Sequence, residues 1–277
     1  MRTLSRPVAM MRPFRHGAHR TMQRALSESV WRFGIFLAVL AALALLEAWL
    51  GGPNPSPQRT RRWPANIGLV LLDTLIARLL LPAGAVGAAF WSQARGAGLF
   101  NWLAWPFWLE FALALLLLDL AIYWQHRCLH VLPWLWPLHR VHHTDITLDA
   151  SSALRFHPLE ILLSLAFKLA LVIAFGIAPL AVLVFEALLS SFALITHANL
   201  ALPSRIDRVV RWLLVTPTMH RVHHSTRVAE QHRNFGFHLS IWDRLFGSYA
   251  AQSRDVPQAF GVERVDANDT ARITRLL

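Results

Sequence analysis

The sequence predicts an all-α fold in which a polytopic helical membrane protein carries a histidine-rich helical cap. Three observations predict it. Of 277 residues, 55% are hydrophobic and only 16% charged, against roughly a quarter charged in an ordinary soluble domain. The apolar residues gather into runs near the roughly 20 residues a helix needs to cross about 30 Å of hydrocarbon. All but two of the 14 histidines fall between residues 126 and 238, at or beyond the ends of those runs.

Taken in order, residues 1–33 read as a basic N-terminal tail, expected to be disordered. The first apolar run begins too late for an ordinary signal peptide, so an uncleaved anchor is the reading. Residues 34–250 form the membrane domain, with spans expected at 34–51, 67–90, 103–124, 159–175 and 179–197. The last two make a hairpin bent near Gly176 and Pro179. Residues 251–277 follow as a C-terminal tail. Trp102, Trp105, Trp134 and Trp136 sit near run ends, where amphipathic rings favour the lipid–water boundary. "RIDRVVRWLL" has one apolar stripe of Ile206, Val209, Val210 and Leu213 with its arginines elsewhere, the pattern of a helix lying on a membrane surface.

The formal net charge is +11, almost wholly from arginine. Nucleic acid is the other common partner of so basic a chain. With most of its length in lipid, this chain leaves little room for such a module, so anionic headgroups are the expected partner. Arg127, Arg140, Arg155 and Arg221 are candidates for headgroup contacts or for contacts behind the metal ligands, with a snorkelling arginine an equal alternative at each. Arginines 59, 61 and 62 place the first loop on the cytoplasmic side by the positive-inside rule, and two further crossings return the histidine-rich part there. The same count leaves the basic tail outside, against the rule. A single cysteine, Cys128, excludes a disulfide framework or a four-cysteine metal site within one chain.

The histidines stand at ligand spacing. "HRCLH" puts His126 and His130 at i and i+4, on one helix face. "HRVHH" occurs twice, placing His139, His142 and His143, and then His220, His223 and His224, at i, i+3 and i+4. His197 ends the last apolar run. Imidazole suits iron, zinc, copper and nickel. Eight or nine convergent histidines exceed the four ligands of one tetrahedral ion and fit two metals with open positions. Asp119, Asp145, Asp149 and Asp243 are candidate carboxylates behind the ligands. His157 and Asn234 are candidates for the same supporting role, and His157 fits a helix-start contact equally well. Two rival classes compete with an enzyme of this kind. A membrane metal-binding or transport protein wants ionisable ligands at mid-bilayer depth; a zinc-dependent membrane hydrolase wants a glutamate base, as in HExxH. Neither histidine pentapeptide offers that glutamate.

The order HxxxH, HxxHH, membrane hairpin, HxxHH resembles the fatty acid hydroxylase/sterol desaturase superfamily of integral-membrane non-haem di-iron oxygenases. The likeness runs over roughly 115–250 and includes "DLAIYWQHRCLH", "PLHRVHHTD", "LRFHPLE", "THANL", "TPTMHRVHH" and "NFGFHLSIWDRLFGSY". In the last stretch Ser248 stands where the family frequently has threonine. The resemblance implies a cytosolic cap holding a dimetal site, with His126, His130, His139, His142, His143, His220, His223 and His224 as ligands and His197 as a ninth. It implies two iron ions, which zinc can replace in purified protein because zinc ranks above ferrous iron in affinity. It also implies dioxygen as co-substrate and hydroxylation or desaturation of a lipid such as a fatty acyl chain or a sterol-like lipid. The chain shows no flavin or nicotinamide fingerprint, so electrons are expected from a separate ferredoxin, cytochrome or reductase, or from a soluble reductant.

Overall fold

The computed structural model describes residues 15–52, 59–103, 105–252 and 259–262, with side chains described from residue 30 onward. Among the described residues the chain is helical, with no strand and two isolated bridges, Leu214 with Leu239 and Ser225 with Phe260. The elements are α1 (Arg15–Leu50), α2 (Arg59–Leu80), α3 (Gly84–Arg95), α4 (Leu99–Trp102), α5 (Phe107–Val131), α6 (Trp136–His143), a 3-10 turn (Ala150–Leu154), α7 (Pro158–Phe175), α8 (Pro179–His197), α9 (Ser204–Val210), α10 (Pro217–His223), α11 (Val228–Gln231) and α12 (Ile241–Leu245).

Among the described residues, five segments are long and apolar enough to cross a membrane: Val30–Leu50, Arg59–Trp102, Phe107–Val131, Pro158–Phe175 and Pro179–His197. Their outward faces expose large apolar side chains such as Leu45, Leu71, Leu75 and Leu116, as expected where lipid rather than water is the neighbour. With the residue pattern, this makes the chain an integral membrane protein.

The expected hairpin is present, and local chemistry sets its ends. Pro158 starts α7 behind His157, whose Nδ1 accepts from the Leu159 amide at 3.1 Å. Gly176, left-handed at φ 66°, ends α7, and Pro179 opens α8. Glycine just past a helix and proline at the start of the next are the residues those positions favour. Gly98 backs onto the tip, where a Cβ would lie 2.1 Å from the Gly176 nitrogen. This contact fixes the segment before α5 against the end of the hairpin remote from the histidines. Between them, small residues let helices approach: Ala85, Ala88, Ala89, Ala114 and Ala181 pack with Phe100, Leu118, Val172 and Phe185.

Several expectations change. Residues 15–33, expected as part of a disordered tail, belong to α1; residues 1–14 lie outside the described residues. The 67–90 run is two helices, because Pro82 cannot continue α2 and restricts Leu81 before it, and Gly84 at φ 58° opens α3. Part of the expected C-terminal tail packs on the protein: Phe260 is buried and bridges Ser225, just after the second histidine pentapeptide. Finally, Arg62 is no loop charge. It sits on α2, fully buried, paired with Asp145 at 2.7 Å and with Asp149.

That ion-pair cluster anchors the cap. Asn66, one turn after Arg62, donates to Ser151 at 3.0 Å and accepts from Arg155 at 2.9 Å. Glu47 near the end of α1 accepts from the backbone amides of Ala150 and Asn199, at 2.8 and 2.9 Å. The end of α1 and the start of α2 are thereby tied to the histidine end of the bundle. Arg155 and Arg221 are also buried, which removes the headgroup and snorkelling alternatives for them. Arg155 bonds Thr144 and Asn66, and Arg221 donates to the carbonyl of Ala198 at 3.0 Å. Each supplies donors to oxygens that folding would otherwise strand. Arg140 is exposed, and Arg127 reaches Tyr123 Oη at 3.2 Å.

Candidate metal centre

All nine expected histidines converge, in two groups. His126, His130, His139, His143 and His223 form one; His142, His197, His220 and His224 form the other, and within each group ligand atoms lie within 4.8 Å of one another. Helical spacing explains the sorting. On α5, His126 and His130 share a face and enter the first group. From α6, His139 and His143 join them while His142, three residues from His139, turns to the second group. The other pentapeptide does the reverse: His220 and His224 go to the second group and His223 to the first. The two copies therefore interlock, each sending two histidines to one group and one to the other. His143 and His224 stack at the boundary, ring centroids 4.3 Å apart.

Hydrogen bonds fix which nitrogen faces inward. Nδ1 of His126 donates to the Phe235 carbonyl (2.9 Å), His142 to Arg155 (3.1 Å), His197 to Ala193 (2.7 Å) and His223 to Arg233 (2.8 Å). His139 Nδ1 donates to Glu160 Oε1 at 2.7 Å. These oxygens only accept, so in each neutral ring the proton is on Nδ1 and the lone pair is on Nε2. Inside, Nε2 of His126 lies 3.1 Å from that of His139, and Nε2 of His197 lies 3.0 Å from that of His142. In both pairs a lone pair faces a lone pair, an arrangement that repels unless a cation lies between. Such separations are those of two nitrogens each about 2.1 Å from one ion at roughly a right angle. His130 and His143 have no partner on either ring nitrogen, and His223 Nε2 has none. The residues fit a metal.

Burial keeps several of these rings neutral. It holds His142, His143, His220 and His224 well below the ordinary histidine range, with neighbouring histidines adding to the effect, and pushes His223 down to about 3. Aromatic rings complete the enclosure. Phe156 stacks on His142 at 4.5 Å, Trp136 lies 5.1 Å from His130, and Phe235 lies 5.4 Å from His130. Trp136, expected in an interfacial belt, thus covers the centre, whereas Trp102, Trp105 and Trp134 are exposed.

The sequence pattern of the fatty acid hydroxylase family matches residues 111–248, the stretch that contains every one of these histidines. The chain belongs to the fatty acid hydroxylase family. It is 29% identical over 189 residues to an ornithine lipid hydroxylase of Rhizobium tropici, covering 68% of this chain and 53% of that protein. It is 34% identical over 153 residues to an alkylglycerol monooxygenase of Danio rerio, covering 55% of this chain and 32% of the relative. An Arabidopsis thaliana protein provisionally named a Delta(7)-sterol-C5(6)-desaturase is 32% identical over 161 residues, covering 54% and 50%. The chain spans about half or less of the length of these curated relatives. No solved structure matches it.

Within this hydroxylase domain the other singled-out residues stand one step away or further. Asp243 accepts from the amides of Phe235 and Gly236 at 2.7 and 2.8 Å, holding the loop whose carbonyl receives the His126 proton. Asn234, left-handed at φ 55°, bonds Met219 and Ala250 beside Arg233, the acceptor for His223. Asp145 and Asp149 serve Arg62, and Asp119 serves His238 at 2.6 Å and Trp242 at 2.8 Å. His157 caps α7 and joins neither group. The carboxylate that does touch a histidine of the groups is Glu160, absent from the expected set. Its signal was an acidic residue three positions after His157, at the head of an otherwise apolar run.

Proposed function

We propose that the chain is a membrane-bound di-iron oxygenase that hydroxylates or desaturates a lipid, using dioxygen and electrons from a separate donor. The single observation behind this reading is the pair of enclosed lone-pair clusters at the end of an apolar hairpin, within a fatty acid hydroxylase domain. The nine histidines are the proposed ligands of two irons, in the two groups described. Bound iron supplies the oxidant for an unactivated C–H bond, which no side chain can supply.

The chain's own residues do the rest. The carbonyls of Phe235, Arg155, Ala193 and Arg233, and the Glu160 carboxylate, hold the Nδ1 protons outward and orient the rings, which also raises ligand basicity. Phe156, Trp136 and Phe235 keep water from the imidazoles. The histidines lie at the ends of α5 and α8 and in the cap, so a lipid tail rising between apolar helices would reach them without leaving the bilayer. That position favours an enzyme over a transport path, which would place ligands at mid-depth. Names of relatives supply a substrate class: ornithine lipids, alkylglycerols and sterols are all membrane lipids. The histidine end is assigned to the cytoplasm. Residues 34–250 are proposed as one membrane hydroxylase domain.

Metal analysis of purified protein and a dioxygen- and reductant-dependent lipid assay test the reading. About two irons per chain are expected from the ligand count, with a lipid product that gains one oxygen atom, and loss of that product in His142→Ala and His223→Ala. Folded variants that still make the product would overturn the site.

A further inference from the structure

Between the last turn of α5 and the chain around α11 and α12 lies an open cavity of about 370 Å³, whose walls include Arg127, Val131, His232, Arg233, Phe235 and Ser248. No acidic residue lines it. Its two arginines are held from behind. Arg127 donates through Nη1 to Tyr123 Oη at 3.2 Å and to the Phe246 carbonyl at 3.4 Å, and its guanidinium lies over the Trp124 ring at 5.3 Å. Arg233 donates through Nη1 to the Gly247 carbonyl at 3.0 Å. The other N–H groups of both have no protein acceptor among the described residues, and neither arginine forms an ion pair there. Asp243, behind Ser248, is taken by that hydroxyl at 2.7 Å and by the amides of Phe235 and Gly236. Two guanidinium groups with free donors around one cavity make a receptor for an oxyanion, which planar N–H forks bind in pairs.

The depth of the cavity selects the oxyanion. Arg127 follows Phe107, the exposed first residue of α5, by about 30 Å of helix. That is the thickness of a hydrocarbon core, so Arg127 stands at the headgroup layer of the histidine end. The neighbouring surface is apolar: Trp124 and Val131 on α5 and Ile241 and Leu245 on α12 are exposed. Exposed apolar side chains beside a cationic site suit a lipid, whose tails cover them, better than an acidic protein surface. We propose that Arg127 and Arg233 bind the headgroup phosphate of a membrane phospholipid in this cavity. Phe235, on the cavity wall, has its ring 5.4 Å from that of His130 and 5.8 Å from that of His126. The lipid is thus held one aromatic ring from the first histidine group. The site requires neither a bound metal nor an oxygenase reaction, and it goes beyond both.

Binding can be read without turnover. Protein in an uncharged maltoside detergent would be titrated with hexadecyl phosphate, hexadecanol and inorganic phosphate at constant ionic strength. The readout is the unfolding midpoint, which rises with occupancy of a native site. Hexadecyl phosphate should bind about tenfold or more tighter than hexadecanol, as expected of charge-assisted hydrogen bonds that the alcohol cannot make, and about tenfold or more tighter than inorganic phosphate. The double variant Arg127→Gln, Arg233→Gln should lose the preference for the phosphate lipid. Arg61→Gln, which removes an exposed arginine on α2, should keep it. A purely structural role for the pair would lower every midpoint and leave the order of the probes unchanged. Wild-type protein with no preference hands the cavity to another anion, such as an acidic protein, and overturns the proposal. So does a folded double variant that keeps the preference, or an Arg61→Gln protein that loses it. Inorganic phosphate binding as tightly as hexadecyl phosphate overturns the lipid assignment. If the double variant does not fold, Arg233→Gln decides alone: at this exposed position it should weaken hexadecyl phosphate relative to hexadecanol, and an unchanged ratio overturns the site.

Discussion

Nine imidazoles crowd two small volumes, and the placement of their outer protons decides what that crowd can do. Glu160 illustrates it. Its carboxylate holds the His139 proton at 2.7 Å, so removing it frees the ring to rotate and lowers its basicity. Glu160→Leu should weaken metal binding about 10–100-fold, the usual effect of losing such a partner, and Glu160→Gln, which can still accept, should lose less. A chelator competition measures both; equal affinities for all three proteins would refute the role. The histidines also predict an acid response in the metal-free protein. His223 titrates near 6.5 when unfolded and near 3 when folded. As pH falls below 6.5 the unfolded chain takes up a proton that the folded chain refuses. Its stabilising contribution is whole above pH 6.5 and declines as pH drops toward 3, by about 1.4 kcal/mol per pH unit for each such group. Unfolding midpoints at pH 7.5 and 5.5 check the sign. The convergence of the nine histidines was legible because imidazole at i, i+3 and i+4 has few other uses. Their partners were not: four of the five are backbone carbonyls, which any residue carries.

At the scale of elements, α2 shows where reading a sequence by composition stops. Hydropathy locates an apolar run but not its interruption at Pro82, and treats every arginine before the run as a surface charge. Arg62 is instead the post on which the cap stands, since Asp145 and Asp149 lead into the 3-10 turn before α7 and both bind it. Loss of one side of a buried ion pair leaves the other charge unpaired. Arg62→Leu should therefore destabilise the protein by about 3–5 kcal/mol, whereas Arg61→Gln, at an exposed position one residue earlier, should change stability by less than about 0.5 kcal/mol. Unfolding midpoints in one detergent compare them. Similar shifts for the two variants would mean that the cap does not depend on this pair. The bend of the hairpin, in contrast, has a cause visible in the sequence, because Gly176 and Pro179 act locally and need no tertiary partner.

For the molecule as a whole, the ends of the helices fix a polarity that charge counting left in conflict. Glu47, at the end of α1, reaches Arg59 at 3.1 Å and the amides of Ala150 and Asn199, all at the histidine end. The Gly98–Gly176 contact marks the opposite end. A membrane-crossing α1 must then begin on the side away from the histidines. The positive-inside rule concerns charges that meet headgroups, so buried Arg62, Arg155, Arg211 and Arg221 drop out of the count. Arg61, Arg140, Arg205, Arg208, Arg227 and Arg233 remain exposed toward the histidine end, against Arg78 and Arg95 on α2 and α3. We propose that the histidine end faces the cytoplasm, since these exposed arginines are spread over several cap segments, each of which would otherwise have to be translocated. In a Cys128→Ser background, Arg140→Cys should react with an impermeant maleimide only when the cytoplasmic face is exposed, and Arg95→Cys only from the other side. Labelling of Arg140→Cys in intact cells would invert the assignment and place the centre, with its need for electrons, on the side away from cytoplasmic donors.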